Sequence, residues 1–361
     1  MKPSTTTLVV LAVAVILALV AYQAAITPMT PYDEPLWYRR AQVPIAQNIE
    51  CAYDWAVDVP GGCRLLYGTA LDVWGLDGLP YRMPDYAVTW QENLENGCYA
   101  PADAVLLMRG CNMLMFICGL VCLYLVSYMA LRRPVLALLP LAPLVLSPTF
   151  PVEIVPRVGP DAILMVGLCL FLLAWATLDR RGQGRSWTAV VTLGVLGGIA
   201  AWTKINGALM LIGYLGYMVA VTPRGRGAVK GLVALAIGGA VFYLLNPALI
   251  GHNPIEVFVD ILQRRAVAGA ALDKIYGTMG WTAVFAGAVK CWPLVPIIAW
   301  AVWKARVLPG MAPVFWWAGA VVIGNLVLIN LPLARYLGPI ELGLYFTGAL
   351  SVIAVVRSYG R

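Results

Sequence analysis

The chain alternates between long apolar segments and short polar ones. The first apolar segment, residues 8–26, follows Lys2, and similar segments recur as far as residue 356. A helix that crosses the roughly 30 Å hydrocarbon core of a bilayer needs about 20 apolar residues, and most of these segments approach that length. We therefore predict an all-α integral membrane protein with about ten transmembrane helices, built as a single domain over residues 1–361.

Polar positions divide this pattern into individual helices. After the first segment, we predict helices at about residues 104–130, 134–146, 161–180, 187–202, 207–221, 231–250, 281–303, 312–330 and 336–356. Two longer polar stretches remain: an extracytoplasmic loop at 27–103 and a second extracytoplasmic segment at 251–280. Apolar residues recur at helical spacing in the second, which predicts an amphipathic surface helix there. Small residues at 21–25 make a cleaved signal peptide the alternative for the first helix.

Composition supports the membrane assignment, and charge orients the chain. Hydrophobic residues make up 61% of the sequence and charged residues only 12%, whereas a soluble domain has about 25% charged residues. The formal net charge is +7, and the basic residues concentrate in short segments at alternate helix ends. By the positive-inside rule these segments are cytoplasmic, which predicts that both termini lie inside. We expect the membrane to be a bacterial-type plasma membrane. Because the basic residues do not cluster with aromatic ones, we expect no nucleic-acid partner.

Two adjacent carboxylates follow the first predicted helix, in the motif Tyr32-Asp33-Glu34-Pro35. A carboxylate at a membrane boundary can act as a general base, and a second one can support it electrostatically or by hydrogen bonding. A base suits an acceptor hydroxyl, which is a poor nucleophile until it loses its proton. The alternative is structural: Asp33 caps a helix that begins at Pro35, while Glu34 interacts with the positive end of that helix. The two roles are compatible.

This motif, which opens a surface helix directly after the first transmembrane helix, resembles the C-type (GT-C) polytopic glycosyltransferases. These are the relatives of the protein O-mannosyltransferases and of the lipid A aminoarabinose transferases. Other stretches agree in order: residues 109–124, Arg157-Val158-Gly159-Pro160-Asp161, the segment 197–204 that ends in Thr203-Lys204, Asn246-Pro247 and Arg335-Tyr336. The similarity covers most of the chain as a pattern, and Asp33-Glu34 and Thr203-Lys204 are its more specific elements.

The resemblance implies inverting transfer of a sugar from a polyprenyl-phosphate-linked donor to an acceptor on the extracytoplasmic face. By position, Asp33 is the general base and Glu34 supports it. The oligosaccharyltransferase branch uses an Asp-x-Asp motif and a metal; no such motif follows the first helix here, so we predict no obligatory metal cofactor. The expected partners are membrane lipids, the lipid-linked sugar and a protein or glycan acceptor. Neither the sugar nor the acceptor is specified by the sequence.

The departing polyprenyl phosphate is an anion at the membrane interface and needs cations or N–H donors there. We predict phosphate contacts from Lys204, Arg335, Arg264 and Arg265, with Arg157 and Asp161 as supporting residues. Lys204 lies between two apolar segments, where an ionisable residue is costly and usually functional. Simpler interpretations exist: Lys204 extends to the outer interface, the adjacent arginines 264 and 265 face lipid headgroups, and Arg335 or Arg157 pairs with a nearby carboxylate.

The loop at 27–103 leaves further possibilities open. Cys51, Cys63 and Cys98 lie where disulfides persist, and Cys51 with Cys63 is the pairing that we predict. The loop is rich in Trp and Tyr, which suits either an acceptor cleft or a surface for a membrane-protein partner. A non-catalytic membrane subunit of the same fold is therefore one alternative function. A transporter or flippase of a lipid-linked substrate is the other, although most charges lie at predicted helix ends.

Overall fold

A computed structural model describes residues 33–42, 61–82, 90–147, 154–222, 225–246, 249–257, 259–260, 263, 295–305, 308, 310–328 and 334–359. These residues form helices, and no strand occurs among them, so the predicted all-α class is confirmed. The α-helices, in chain order, are α1 (Asp33–Gln42), α2 (Gly62–Val73), α3 (Trp90–Glu95), α4 (Ala102–Leu131), α5 (Pro134–Leu138), α6 (Ala142–Leu146), α7 (Asp161–Arg180), α8 (Trp187–Thr203), α9 (Leu209–Val221), α10 (Arg226–Leu244), α11 (Val295–Ala305), α12 (Ala312–Leu328) and α13 (Ala334–Tyr359).

Four helices are long and apolar enough to cross a membrane. They are α4, α7, α10 and the part of α13 at Gly338–Tyr359. Shorter apolar stretches accompany them at Pro134–Leu146, Trp187–Thr203, Ile205–Val221 and Ala312–Asn325. This is the helix content of an integral membrane protein. The first predicted helix and much of the one at 281–303 lie outside the described residues, so the total of ten stays a prediction.

Two predicted helices differ from those observed, each for a local reason. The predicted single helix at 134–146 is divided into α5, a 3₁₀ turn at Leu139–Leu141, and α6. Pro140 and Pro143 fall in this stretch, and proline removes the backbone donor that a continuous α-helix needs. Helix α10 begins at Arg226 rather than at the predicted residue 231, because the segment that contains the basic residues Arg226 and Lys230 is also helical.

The helices pack tightly where their side chains are smallest. Helices α8 and α10 meet along Gly194, Gly198 and Gly238: a Cβ at Gly198 would lie 2.6 Å from the Gly238 carbonyl oxygen. Close backbone approach through small residues is the usual means of helix association in a bilayer. Elsewhere large side chains fill the core, and Trp317 donates its indole N–H to the Leu168 carbonyl of α7 at 3.0 Å. The bundle therefore holds the ends of α7 and α8 in fixed relative positions.

A second, smaller core lies at the end of the bundle where α4 begins. Helices α1 and α2, from the loop at 27–103, pack against each other and against this end of α4. Trp37, Tyr38, Tyr67 and Met108 are among the buried residues of this layer. The Tyr38 hydroxyl donates to the Leu76 carbonyl at 2.7 Å, which connects α1 to the chain beyond α2. The long loop thus folds over the end of the bundle at which α7 starts and α8 ends.

Candidate active site

An ion pair joins the start of α7 to the end of α8. The Lys204 ammonium lies 2.5 Å from Asp161 Oδ1, and each side chain is only 12% exposed. Helix α7 begins at Asp161, as predicted, and α8 ends at Thr203 because Lys204 is extended and the chain then forms a 3₁₀ turn at Ile205–Ala208. The turn needs Gly207, since a Cβ there would lie 2.2 Å from the Ala200 carbonyl carbon. Two residues that we predicted for the site are therefore in direct contact.

Glycines bring the start of α2 against the end of α8, next to this ion pair. A Cβ at Gly62 would lie 2.9 Å from Thr203 Cγ2 and 3.1 Å from Thr203 Cα, closer than side-chain carbons normally approach. The Gly61 backbone N–H, at the cap of α2, donates to Asn246 Oδ1 at 3.3 Å. Because helix N-terminal N–H groups carry a partial positive charge, the positive end of α2 faces the residues next to Lys204.

Tyr67 connects α2 to α4 and to the segment that leads into α7. Its hydroxyl lies 2.5 Å from Asn112 Oδ1 and 2.8 Å from the Gly159 carbonyl oxygen, and it accepts the Gly159 N–H at 3.2 Å. Asn112 in turn donates to the Arg157 carbonyl at 2.7 Å. Burial raises the pKa of Tyr67 well above its ordinary value, so the hydroxyl stays a proton donor. This network holds Pro160 and Asp161 in place below α2.

Two buried donors near the start of α2 have no described partner. The Arg64 side chain is 5% exposed, and its Nε–H makes no hydrogen bond. Burial lowers the pKa of the Arg64 guanidinium. One of its guanidinium nitrogens lies 3.7 Å from the position of a Cβ on Gly61, so the guanidinium curls back over the helix N-terminus. The Trp202 indole N–H, 3.0 Å from that same position, is likewise buried and unsatisfied. Buried donors are normally paired, and donors that share one place point to an acceptor that binds there.

A further arginine lies close to Arg64. The Arg40 guanidinium of α1 is 5.1 Å from the centre of the Trp37 ring, a cation–π distance, and its charge contributes to lowering the pKa of Arg64. Arg40, Arg64 and Lys204 thus place three cationic side chains at this end of the bundle, where Asp161 pairs with Lys204. The described part of the site therefore favours an anion.

The remaining predicted residues are only partly described. Arg157 is half-buried in the segment before α7, and its backbone carbonyl supports Asn112. Asp33 and Glu34 are the first two residues of α1, which starts at Asp33 rather than at Pro35. Arg335 lies in the first turn of α13. The side chains of Asp33, Glu34 and Arg335 lie outside the described part of the structure, as do residues 264 and 265. Cys51 lies outside it too, so its pairing with Cys63, which is buried on α2, stays a prediction.

The architecture is similar to that of a solved structure. ArnT from Cupriavidus metallidurans, in a crystal structure bound to undecaprenyl phosphate, matches the chain with a TM-score of 0.56 at 18% sequence identity. The match covers 99% of this chain and 62% of the ArnT chain. The chain has a GT-C-like glycosyltransferase fold. The resemblance seen in the motifs is thereby confirmed at the level of the fold. No family model matches the chain, and no curated protein sequence is similar to it at a significant level.

Within this GT-C-like fold, sequence reasoning missed Arg64 and Trp202. Arg64 lies in a long polar loop, where an arginine is usually solvated. Its signal was the spacing of Cys63, Tyr67 and Leu71, which lie four residues apart and form the buried face of α2. Asn112, a polar residue inside an apolar helix, carried a similar signal. Among the described residues, no group of three or more His, Cys, Asp or Glu side chains is placed to hold a metal ion.

Proposed function

We propose that this chain transfers a sugar, with inversion, from a polyprenyl-phosphate-linked donor to an acceptor on the extracytoplasmic face of the plasma membrane. The fold supports this proposal, since ArnT, with the same fold, binds undecaprenyl phosphate in its crystal structure. The observation that carries it is the pair of buried donors, Arg64 and Trp202, at the N-terminus of α2 beside Lys204. A phosphate at the membrane interface supplies the acceptor oxygens that these N–H groups need.

The proposed reaction has one displacement step. The acceptor hydroxyl gives its proton to the Asp33 carboxylate, and its oxygen forms a bond to the anomeric carbon of the sugar. The bond from that carbon to the phosphate oxygen breaks, and its electron pair leaves with the polyprenyl phosphate. Attack occurs on the face opposite the leaving group, so the configuration inverts. Glu34 supports the base, and no metal ion takes part.

The position of α1 supports this role for Asp33. Asp33 is the first residue of α1, one turn before Trp37. The Trp37 indole nitrogen lies 3.6 Å from the position of a Cβ on Gly159, and its ring packs edge-on against Tyr67. Helix α1 thus packs, through Trp37, against the segment that leads to Asp161.

The leaving phosphate is stabilised by the cationic side chains. The Lys204 ammonium, which also donates to Asp161, and the Arg64 guanidinium with its five N–H groups are the described donors. Arg335, Arg264 and Arg265 remain proposed phosphate ligands. Because negative charge develops on the phosphate oxygens as the bond breaks, it is greater in the transition state than in the bound donor, so these donors lower the barrier as well as bind the lipid.

The test is transfer by the purified protein, reconstituted with a panel of polyprenyl-phosphate sugars. Asp33→Asn removes the base and is expected to lower kcat by about 10²- to 10⁴-fold, the usual contribution of general base catalysis. Asp72→Asn is the matched control, because Asp72 is an exposed aspartate on α2, and it is expected to act at the parent rate. Transfer by Asp33→Asn at the parent rate would refute the role of Asp33 as the general base. An inactive parent across all donors, with intact folding, would favour the non-catalytic subunit.

A further inference from the structure

A cavity of about 570 Å³ lies at the opposite end of α7 from Asp161. Helix α7 has 20 residues, so the two sites are separated by about 30 Å, the rise of such a helix. The ends of α4, α7 and α13 line the cavity, together with the residues that precede α12. This is the end of the bundle that the charge pattern predicts to be cytoplasmic, and the proposed transfer reaction makes no use of it.

Charge in the cavity is strongly one-sided. Arg132, Arg180 and Arg357 line it, one from each of three helices, against a single carboxylate, Asp179. That carboxylate accepts a hydrogen bond from the Tyr217 hydroxyl of α9 at 2.9 Å, so it is already engaged. Neither Arg132 nor Arg180 has a side-chain partner among the described residues. Apart from Ser358 and Gly310, the other residues that line the cavity have apolar side chains, with Met129 and Met311 among them.

Backbone geometry singles out Arg132. Its φ is +55°, and it is the only non-glycine residue with positive φ in the described part of the chain. It caps α4, where its N–H donates to the Tyr128 carbonyl at 2.8 Å. Glycine or asparagine normally occupies such a left-handed cap, because a Cβ is unfavourable there. A residue kept in an unfavourable conformation at a cavity indicates that its side chain has a function.

We propose that this cavity binds the phosphoryl group of an anionic amphiphile of the membrane, with the headgroup between Arg132 and Arg180 and the apolar part against the methionine-lined wall. Arginine suits this ligand because its planar guanidinium binds phosphate oxygens in pairs. The apolar wall favours a phospholipid over a free phosphate ester, which has no group to cover it.

The test compares two double variants with the same net charge. Arg132→Ala with Arg180→Ala removes two cavity arginines; Arg133→Ala with Arg181→Ala removes their immediate neighbours, which do not line the cavity. Thermal unfolding of the full chain in uncharged micelles is followed during titration with short-chain phosphatidylglycerol. Each cavity arginine contributes a charge-assisted hydrogen bond, so the half-maximal concentration is expected to rise about tenfold per arginine in the first variant. The half-maximal concentration should be unchanged in the second double variant.

Further measurements identify the source of the phosphoryl group and control for misfolding of the variants. If inorganic phosphate stabilises the parent to the same extent as phosphatidylglycerol, the occupant is a water-soluble phosphate. Equal losses in both double variants, or equal stabilisation by short-chain phosphatidylcholine, would overturn the proposal. Arg132→Gly relieves the positive φ, so it is expected to raise the lipid-free unfolding midpoint while weakening the lipid response. An undiminished lipid response in this variant would show that Arg132 serves only as a helix cap.

Discussion

Replacing Arg64 by methionine separates stability from donor binding. The substitution exchanges a buried guanidinium for an apolar side chain of similar length, at a position that is 5% exposed. No described carboxylate compensates the charge of Arg64, and Arg40 adds repulsion. Replacing buried charged groups by apolar ones of similar volume often stabilises a protein by about 1–4 kcal/mol. We therefore expect Arg64→Met to be more stable than the parent in the absence of donor.

Adding polyprenyl phosphate should reduce this difference in stability, because the ligand stabilises the parent more than the variant. A hydrogen bond to a charged group contributes about 1.5–3 kcal/mol, which corresponds to a loss of about 10- to 150-fold in affinity when the guanidinium is removed. At a ligand concentration of about 100 times Kd, binding stabilises the parent by about 2.7 kcal/mol. The variant gains far less at the same concentration. The measurement is the denaturation midpoint in detergent micelles, with and without undecaprenyl phosphate.

Two controls make the result interpretable. Arg39→Met removes an exposed arginine from α1 and should change stability and ligand response by little. Arg64→Lys keeps the charge but not the planar fork, so its ligand response should be intermediate. A loss of several kcal/mol in donor-free stability for Arg64→Met would refute the reasoning, because it would show that Arg64 is paired within the protein. An undiminished ligand response would show that the phosphate binds elsewhere.

Two further predictions concern the neighbours of Arg64. Asp161→Asn removes the carboxylate from the largely buried ion pair with Lys204. Breaking a buried ion pair costs about 3–5 kcal/mol, so the denaturation midpoint should fall, and the double variant with Lys204→Met should recover part of it. Additive losses would argue against a coupled pair. Trp202→Phe keeps an aromatic ring but removes the indole N–H. Affinity for the lipid-linked donor should therefore fall by about 2- to 10-fold, the value of a neutral hydrogen bond, without loss of stability. A binding titration unchanged from that of the parent would show that Trp202 does not contact the donor.

Local signals accounted for much of the fold. A proline followed by an acidic residue predicted the start of α7 at Asp161, and the polar residues 203–206 within an apolar stretch predicted the break after α8. Both depend on backbone chemistry within one or two turns, which a single sequence contains. The same holds for the long apolar helices, whose length is dictated by the bilayer. The division of the helix at 134–146 was missed because its apolar pattern outweighed its prolines.

Contacts between distant segments were not predictable in the same way. Lys204 and Asp161 are 43 residues apart, and no carboxylate partner was predicted for Lys204. The burial of Arg64 depends on α2 approaching α8, which Gly61 and Gly62 permit by having no side chain at the contact. A contact made through the absence of side chains has little signature in a sequence. The burial of the Arg64 charge was therefore not predicted.

The length of α8 has a consequence for the surrounding lipid. An apolar helix of 17 residues rises about 26 Å, which is a few ångströms less than a hydrocarbon core of about 30 Å. Trp187, exposed at its first turn, anchors one end at an interface. Lys204, at the other end, then lies below the level of the opposite headgroups unless the bilayer thins around it. This hydrophobic mismatch makes acyl-chain length a determinant of access, since a thinner membrane brings a lipid phosphate down to the level of Lys204.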